Sequence, residues 1–241
     1  MAAAIEIENF SYAYPDGTVA LRQVSLRIEH GQKVALIGPN GAGKSTLLLV
    51  MAGFIRGNGR VAVDGIELRG ANLNKVRSLL GSCLENPEDQ LFMPRLFDDV
   101  AFGPLNMGLA PEQVEHRVRE ALATVGLAEM GEKAPHHLSA GQKRAAAIAT
   151  VLSMSPKIIT LDEPDGSLDP RNRAKLLELL KKLPQTLVIA TCNMNFAAEI
   201  AERAVVVDAG QVVADGAAGE VMGDSALMSA HGLEVPGVRF G

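Results

Sequence analysis

The pattern of apolar and polar positions divides the chain into three stretches. In the first, Ala4–Phe10 and Leu21–Ile28 carry the short alternating patterns of half-buried strands, with the turn signal Pro15-Asp16-Gly17 between them. Lys33–Ile37 (KVALI) is a short continuous apolar run, the pattern of a buried strand. A glycine-rich segment follows and opens into an apolar helical run after Lys44. Arg60–Val63 and Ile66-Glu67-Leu68 then flank Asp64-Gly65, a hairpin signal. In the second stretch, about Leu96 to Gly126, the period becomes helical, with Pro104 and Pro111 as breaks. Pro111 opens a helix running to Val125, since a proline at the first helical position sacrifices no hydrogen bond. Gly141–Met154 predicts another helix. The third stretch alternates again: strands at Lys157–Leu161, Thr186–Ala190 and Val205–Asp208, helices at Arg171–Leu183 and Phe196–Arg203. Continuous apolar strands alternating with helices predict a mainly parallel sheet covered on both faces. No repeat or low-complexity linker interrupts the chain, so one α/β domain with a helical insertion is expected.

Composition narrows the function classes. With 47% hydrophobic and 21% charged residues in 241, the chain has the make-up of a folded globular protein and not of a disordered one. A net charge of −5 lacks the basic excess of a nucleic-acid binder. The longest apolar runs, Thr46–Ile55 and Ala145–Met154, span about ten residues, and a membrane span needs roughly 20. The opening MAAAIEIENF has no basic region or cleavage site of a signal peptide. Two cysteines, Cys83 and Cys192, cannot build a disulfide framework, which points to a reducing compartment.

The chemistry is carried by Gly38-Pro39-Asn40-Gly41-Ala42-Gly43-Lys44-Ser45, which fits G-x-x-x-x-G-K-[ST] between a predicted strand and a predicted helix. Small residues let consecutive backbone N–H groups close around a phosphate, Lys44 reaches the β- and γ-phosphates, and the Ser45 hydroxyl ligates Mg²⁺. The helix start, Thr46 included, aims its positive dipole end at the same anion. A nucleoside triphosphate with Mg²⁺ is the expected ligand. A second anchor is Ile158-Ile159-Thr160-Leu161-Asp162-Glu163, an apolar strand ending in two acids. Asp162 is placed to hold Mg²⁺ and Glu163 to polarise the attacking water.

Leu138-Ser139-Ala140-Gly141-Gln142 follows the helical insertion and precedes the acid strand. Ser139 suits the N-cap of the helix starting there. Its placement resembles the LSxGQ signature of the ATP-binding-cassette (ABC) ATPases. Ser167-Leu168-Asp169 looks like that family's D-loop, and Tyr14 sits where the family places an aromatic residue on adenine. The resemblance implies a P-loop NTPase (RecA-like) α/β core at about 1–82 and 156–222, with an antiparallel N-terminal β-subdomain. It also implies an inserted helical subdomain at about 83–155 and a tail at 223–241, all in a single ABC ATPase domain. It further implies that two ATPase subunits, identical chains by expectation, pair head to tail. Each ATP then lies between one P-loop and the other subunit's Ser139, Gly141, Gln142 and Asp169. ATP joins the pair and hydrolysis releases it, a switch driven by differential affinity for two states.

Asn86–Phe92 (NPEDQLF) and Asp99–Leu109 (DVAFGPLNMGL) look like the ATPase subunits of energy-coupling-factor importers, most like the cobalt/nickel branch. Such subunits work as peripheral engines on the cytoplasmic face, docked on a transmembrane coupling subunit beside a substrate-binding membrane subunit. Vitamin importers and a weakly hydrolysing regulatory subunit are the alternatives. Two positions depart from the family pattern. Glu85 stands where a Gln is usual, contacting Mg²⁺ and the attacking water, and a carboxylate can only accept hydrogen bonds. Cys192 stands where a His usually meets the γ-phosphate; a thiol is a weaker donor, and a small buried residue is its plainer reading. Slow hydrolysis is expected. His136-His137 reads as a solvated loop. A DNA-repair ABC protein would need a long coiled-coil or zinc insertion, and only 94 positions separate Lys44 from Leu138. A small-molecule kinase or a GTPase is disfavoured by the Ser139–Gln142 segment and by the lack of an N-K-x-D signal.

Overall fold

The chain opens with two long strands, β1 (Ile5–Ala13) and β2 (Val19–Ile28), paired antiparallel across the Pro15-Asp16-Gly17 turn. This is a computed structural model describing residues 2–238; position 1 and the last three positions of the expected tail, 239–241, lie outside the described residues. β3 (Lys33–Ile37) leaves that layer, and α1 (Lys44–Met51) follows the glycine-rich loop. β4 (Asn58–Val63) and β5 (Ile66–Glu67) then return to the first layer as a hairpin around Asp64-Gly65. The result is a four-stranded antiparallel sheet in the order β2-β1-β4-β5.

After a short helix α2 (Leu73–Leu79), β6 (Leu80–Cys83) joins the edge of a second sheet. The helical insertion comprises α3 (Leu96–Asn106), α4 (Pro111–Thr124) and α5 (Ala140–Leu152). The alternating stretch supplies β7 (Ile158–Asp162), α6 (Pro170–Lys182), β8 (Thr186–Ala190), α7 (Met194–Ile200), β9 (Arg203–Asp208) and β10 (Gln211–Ala217). Two short helices close the described chain, α8 (Ala218–Gly223) and α9 (Ser225–Ala230). The second sheet runs β10-β9-β3-β8-β7-β6; all neighbours are parallel except the β9–β10 hairpin.

Three apolar clusters hold these layers. Ile5, Leu21, Leu36, Leu47 and Val205 fill the space between the two sheets and α1. Ile148, Ile159, Leu180, Phe196 and Met228 fill the other face of the parallel sheet, so the C-terminal helix α9 packs into the main core. Leu96, Val100, Val118, Leu122 and Ala146 form the separate core of the insertion.

Four local readings differ from the sequence expectation. β6 reads Leu-Gly-Ser-Cys, too short and polar to show a period, yet pairing with β7 buries it. β10 is an edge strand of half-exposed residues that the sequence reading did not predict; it follows β9 across Asp208-Ala209-Gly210, where Ala209 and Gly210 are left-handed. The helix expected at Phe196–Arg203 starts at Met194, because the Asn193 side chain accepts from the Phe196 N–H and caps it; Arg203 instead opens β9. Pro104 does not break the helix: α3 runs through it to Asn106. Proline removes the donor that the Val100 carbonyl would have received. The Ser153 hydroxyl donates to that carbonyl instead, at 2.8 Å.

Candidate nucleotide site

Parallel pairing brings the carboxyl ends of β3, β8, β7 and β6 side by side, the usual place for a site in such a sheet. The loop 38–43 leaves the end of β3, Thr191-Cys192 the end of β8, Asp162-Glu163 the end of β7, and Leu84-Glu85 the end of β6. Main-chain bonds lock the ends together: Thr191 N donates to Leu36 O at 3.1 Å and Glu163 N to Ala190 O at 2.8 Å.

Two of the loop's glycines, Gly38 and Gly43, are required by close approach. A Cβ at Gly38 would stand 2.0 Å from the Val207 carbonyl oxygen. At Gly43, with φ +107°, one would stand 2.7 Å from the Ala20 carbonyl oxygen. No side chain caps the first turn of α1, so its N–H groups are available to an anion. Lys44 is buried and curls over its own loop, donating to Gly38 O at 2.8 Å and Pro39 O at 3.1 Å. Tyr14 and the run Asn40–Thr46 line one cleft of about 500 Å³ together with Glu85 and Glu163. The Tyr14 hydroxyl bonds Thr46 Oγ1 at 3.0 Å and its ring meets Tyr12 edge-on, with centroids 5.1 Å apart. Its free face is thereby held at the cleft wall.

Asp162 is the electrostatic centre. Burial and the nearby Glu85 and Glu163 carboxylates push its pKa above the usual carboxylate range, against the Ser45 hydroxyl bonded to it. Its Oδ1 is buried without a partner. A buried, unpartnered carboxylate oxygen among other acids and a serine hydroxyl suits a hard divalent cation. Among the described residues no three His, Cys, Asp or Glu side chains close into a cage of their own. Mg²⁺ at Ser45, Asp162 and Glu85 therefore fits as an ion that shares its coordination with water and phosphate oxygens.

Glu163 sits in the left-handed region at φ +40°, a strained setting for a non-glycine residue. Its Oε2 accepts from the Cys192 N–H at 3.0 Å. Cys192 is not the small buried residue of its plainer reading; it is exposed and faces the loop. Its Sγ lies 3.0 Å from Asn40 Oδ1 and 3.3 Å from Lys44 Nζ. Burial and then Glu163 push the thiol's pKa up against the pull of Lys44, so it meets the loop as a neutral S–H. Cys83, by contrast, is fully buried and its pKa is pushed up to about 12.

The remaining predicted residues form a second group. Ser139 caps α5 in a reciprocal box, its Oγ accepting from Gln142 N at 3.3 Å while Gln142 Oε1 accepts from Ser139 N at 2.9 Å. Gly141 presses on Asn172, whose side chain a Cβ there would meet at 2.6 Å. Asp169 caps α6 through Asn172 N at 2.8 Å. None of these four residues lines the cleft that holds Tyr14 and Lys44. His136 and His137 stack edge to face in an exposed turn and meet no metal ligand set among the described residues.

Sequence reasoning missed two buried charges. Asp165 accepts from Thr191 Oγ1 at 3.0 Å and from Asn193 Nδ2 at 2.8 Å, fastening the loops on either side of Cys192. Arg144 donates to the carbonyls of Leu84, Glu85 and Glu163. Its signal was present: a cation followed by Ala145–Leu152, where only apolar and small residues occur.

A glycine-rich loop between a parallel strand and a helix, with an acid pair two strands away in the sheet, defines a P-loop ATPase. The family it falls in is set by comparison. The chain belongs to the ABC transporter family, whose profile matches residues 21–166, and it is an ABC-type ATPase. A Gloeobacter violaceus protein named for ABC transporter ATP binding is 46% identical over 98% of both chains. The energy-coupling factor transporter ATP-binding protein EcfA of Methanothermobacter thermautotrophicus is 42% identical, over 96% of this chain and 76% of that one. Among solved structures, cbiO1 of Clostridium perfringens, described as part of the ABC transporter complex cbiONQ, superposes with a TM-score of 0.84 at 33% identity, covering 95% and 94% of the two chains. The dimeric cassette MJ0796 bound to ADP and Pi has a TM-score of 0.79 at 29% identity, over 89% and 98%.

Proposed function

We propose that this chain is the ATP-hydrolysing subunit of an energy-coupling-factor importer for cobalt or nickel ions, working as a head-to-tail pair of identical chains. The observation that carries the reading is the division of the predicted site into two groups on one chain: Tyr14, the loop 38–46, Asp162 and Glu163 on one side, Ser139, Gly141, Gln142 and Asp169 on another. Pairing two copies with each signature facing the other's loop completes both sites. Relatives named EcfA and cbiO1 support the importer class, and the cbiONQ complex is the model for membrane partners. No helix of the described residues is long and apolar enough to cross a membrane. Transport therefore rests on a transmembrane coupling subunit and a substrate-binding membrane subunit, with this chain peripheral at the cytoplasmic face. Phe92, Phe102 and Leu105 form an exposed apolar patch on the helical insertion that suits such docking; the two rings pack edge to face.

In this reading the N–H groups of loop 38–46 and the Lys44 ammonium hold the phosphates, and Tyr14 carries the adenine. Ser45, Asp162 and Glu85 would hold Mg²⁺, which supplies neutralisation of phosphate charge. Glu163 orients water for attack on the γ-phosphorus; the bond to the β–γ bridging oxygen breaks, and ADP and inorganic phosphate leave. Cys192 offers a weak S–H donor at the position facing Lys44. Turnover is accordingly slow.

The test is capture of the intact membrane complex with a tagged chain, followed by ATP-dependent uptake in vesicles with Ni²⁺, Co²⁺ and vitamins as separate substrates. Uptake of either ion is the expected result. Uptake of a vitamin alone would reassign the substrate, and failure of the tagged chain to capture any membrane subunit would remove the importer reading.

A further inference from the structure

Arg144 is the only charge among the buried residues of α5, with 4% of its surface exposed. Among the described residues it forms no ion pair. Its guanidinium donates instead to three main-chain carbonyls, those of Leu84 at 2.8 Å, Glu85 at 2.6 Å and Glu163 at 3.3 Å. Two of these belong to the segment after β6 and the third to the end of β7. They carry the two acids, Glu85 and Glu163, that face the phosphate-loop cleft.

The segment after β6 is tied to α5 by other bonds as well. Gln90 Nε2 donates to Ala147 O at 2.9 Å and contacts Thr150 Oγ1 at 2.6 Å, while its Oε1 accepts from Leu84 N at 3.2 Å. Lys143 pairs with Glu88. Residues 84–90 and α5 therefore form one body, with Ser139 at its tip. Glu163 belongs to the other body, the parallel sheet, where its N–H is held by Ala190. A cavity of about 410 Å³ lies between the two bodies, lined by Glu85, Arg144 and Glu163 among others. Arg144 spans it at the level of the Glu163 carbonyl, on a peptide whose orientation is set by the left-handed φ of Glu163.

We propose that Arg144 is a positioning residue coupling the signature helix α5 to both active-site acids, so that movement of α5 against the sheet re-aims Glu85 and Glu163 together. This rests on the roles given to those acids above. Only the planar guanidinium fork, with several donors in fixed geometry, reaches carbonyls on both bodies at once; a lysine keeps the charge as a single point and cannot bridge them.

The experiment compares the full-length chain with Arg144→Lys and Arg144→Gln. Steady-state phosphate release, affinity for a non-hydrolysable ATP analogue and the melting temperature are measured for each. A supporting-shell residue of this kind is expected to lower kcat about 10- to 100-fold. The affinity for the analogue should stay within about threefold, because ground-state binding is untouched. Hydrogen exchange on the wild-type chain gives a second readout that needs no variant. Adding the analogue should protect residues 84–86, 163–166 and the first turns of α5 together. In Arg144→Lys the protection of α5 should vanish while that of loop 38–46 persists. Wild-type kcat in Arg144→Lys overturns the proposal, as does a kcat loss matched by an equal loss of affinity, or an α5 that ignores the analogue in the wild-type chain. A Glu163→Gln control separates the two readings. Full turnover there removes the acid's own role; lost turnover there with wild-type kcat in Arg144→Lys removes the coupling alone.

Discussion

At the residue scale the site is a set of charges held against their preference. Asp162 binds protons more readily in the folded chain than an ordinary aspartate, whose pKa is about 3.9. Its contribution to stability is therefore favourable at low pH and is lost as pH rises through the raised folded pKa, leaving a cost at neutral pH. Asp162→Asn should raise the melting temperature of the nucleotide-free chain at pH 7 by about 2–4 °C, the shift that about 1 kcal/mol produces at this size, with partial exposure limiting the gain. The same variant should lose Mg²⁺-dependent turnover. A lower melting temperature would falsify this account of Asp162. Glu85 and Cys192 lead to a kinetic expectation. One preorganised donor is worth roughly 10²–10³ in rate, so Cys192→His and Glu85→Gln should each release phosphate faster than the parent chain. If neither does, the site is not impaired at these positions. Lys44, Ser45, Asp162 and Glu163 were legible because their motif spacing reports their chemistry. Arg144 and Asp165 were not, because their partners are carbonyls and side chains from loops distant in sequence.

At the element scale, amphipathic period and turn chemistry placed the long strands and helices, and tertiary contacts overrode them where they fell short. Pro104 shows how. The residue has the chemistry of a helix breaker, yet a serine 49 positions further along supplies the missing donor to the Val100 carbonyl. Ser153→Ala should leave that buried carbonyl unsatisfied and destabilise the chain by about 1–3 kcal/mol in denaturant unfolding. An unchanged midpoint would mean that α3 tolerates Pro104 without help. β6 was invisible for the opposite reason: four residues with a glycine and a serine have no period, and only the register Leu80–Cys83 against Ile158–Leu161 makes them a strand. This matters for the site, since β6 is the element that delivers Glu85.

At the scale of the whole molecule, the two groups of predicted site residues do not share a cleft, and in the proposed head-to-tail pair a second copy unites them. Mixing two inactive chains tests this. A Lys44→Ala chain keeps its signature, and a Ser139→Arg chain keeps its phosphate loop. A mixed head-to-tail pair contains one complete site, so ATP turnover should reappear on mixing, whereas each chain alone stays inactive. Two folded chains that remain inactive when mixed would exclude this arrangement. The helical insertion, with its own core, carries both the signature and the exposed Phe92–Phe102 patch. In the proposed pair this one subdomain would link the partner's nucleotide to the surface proposed for membrane docking.

The sequence by itself determined the local chemistry: a loop that must bind phosphate, an acid pair at a strand end, a capped signature helix and the absence of any long apolar span. These follow from short-range rules of backbone freedom, capping and periodicity, which need no neighbours. Only the tertiary structure decided what those groups face. Parallel pairing set Cys192 against Lys44, burial raised the pKa of Asp162, and the packing of α5 placed Arg144 on the carbonyls of both acid-bearing loops. Such effects depend on distance and desolvation between residues far apart in the chain, quantities that no spacing within a motif encodes.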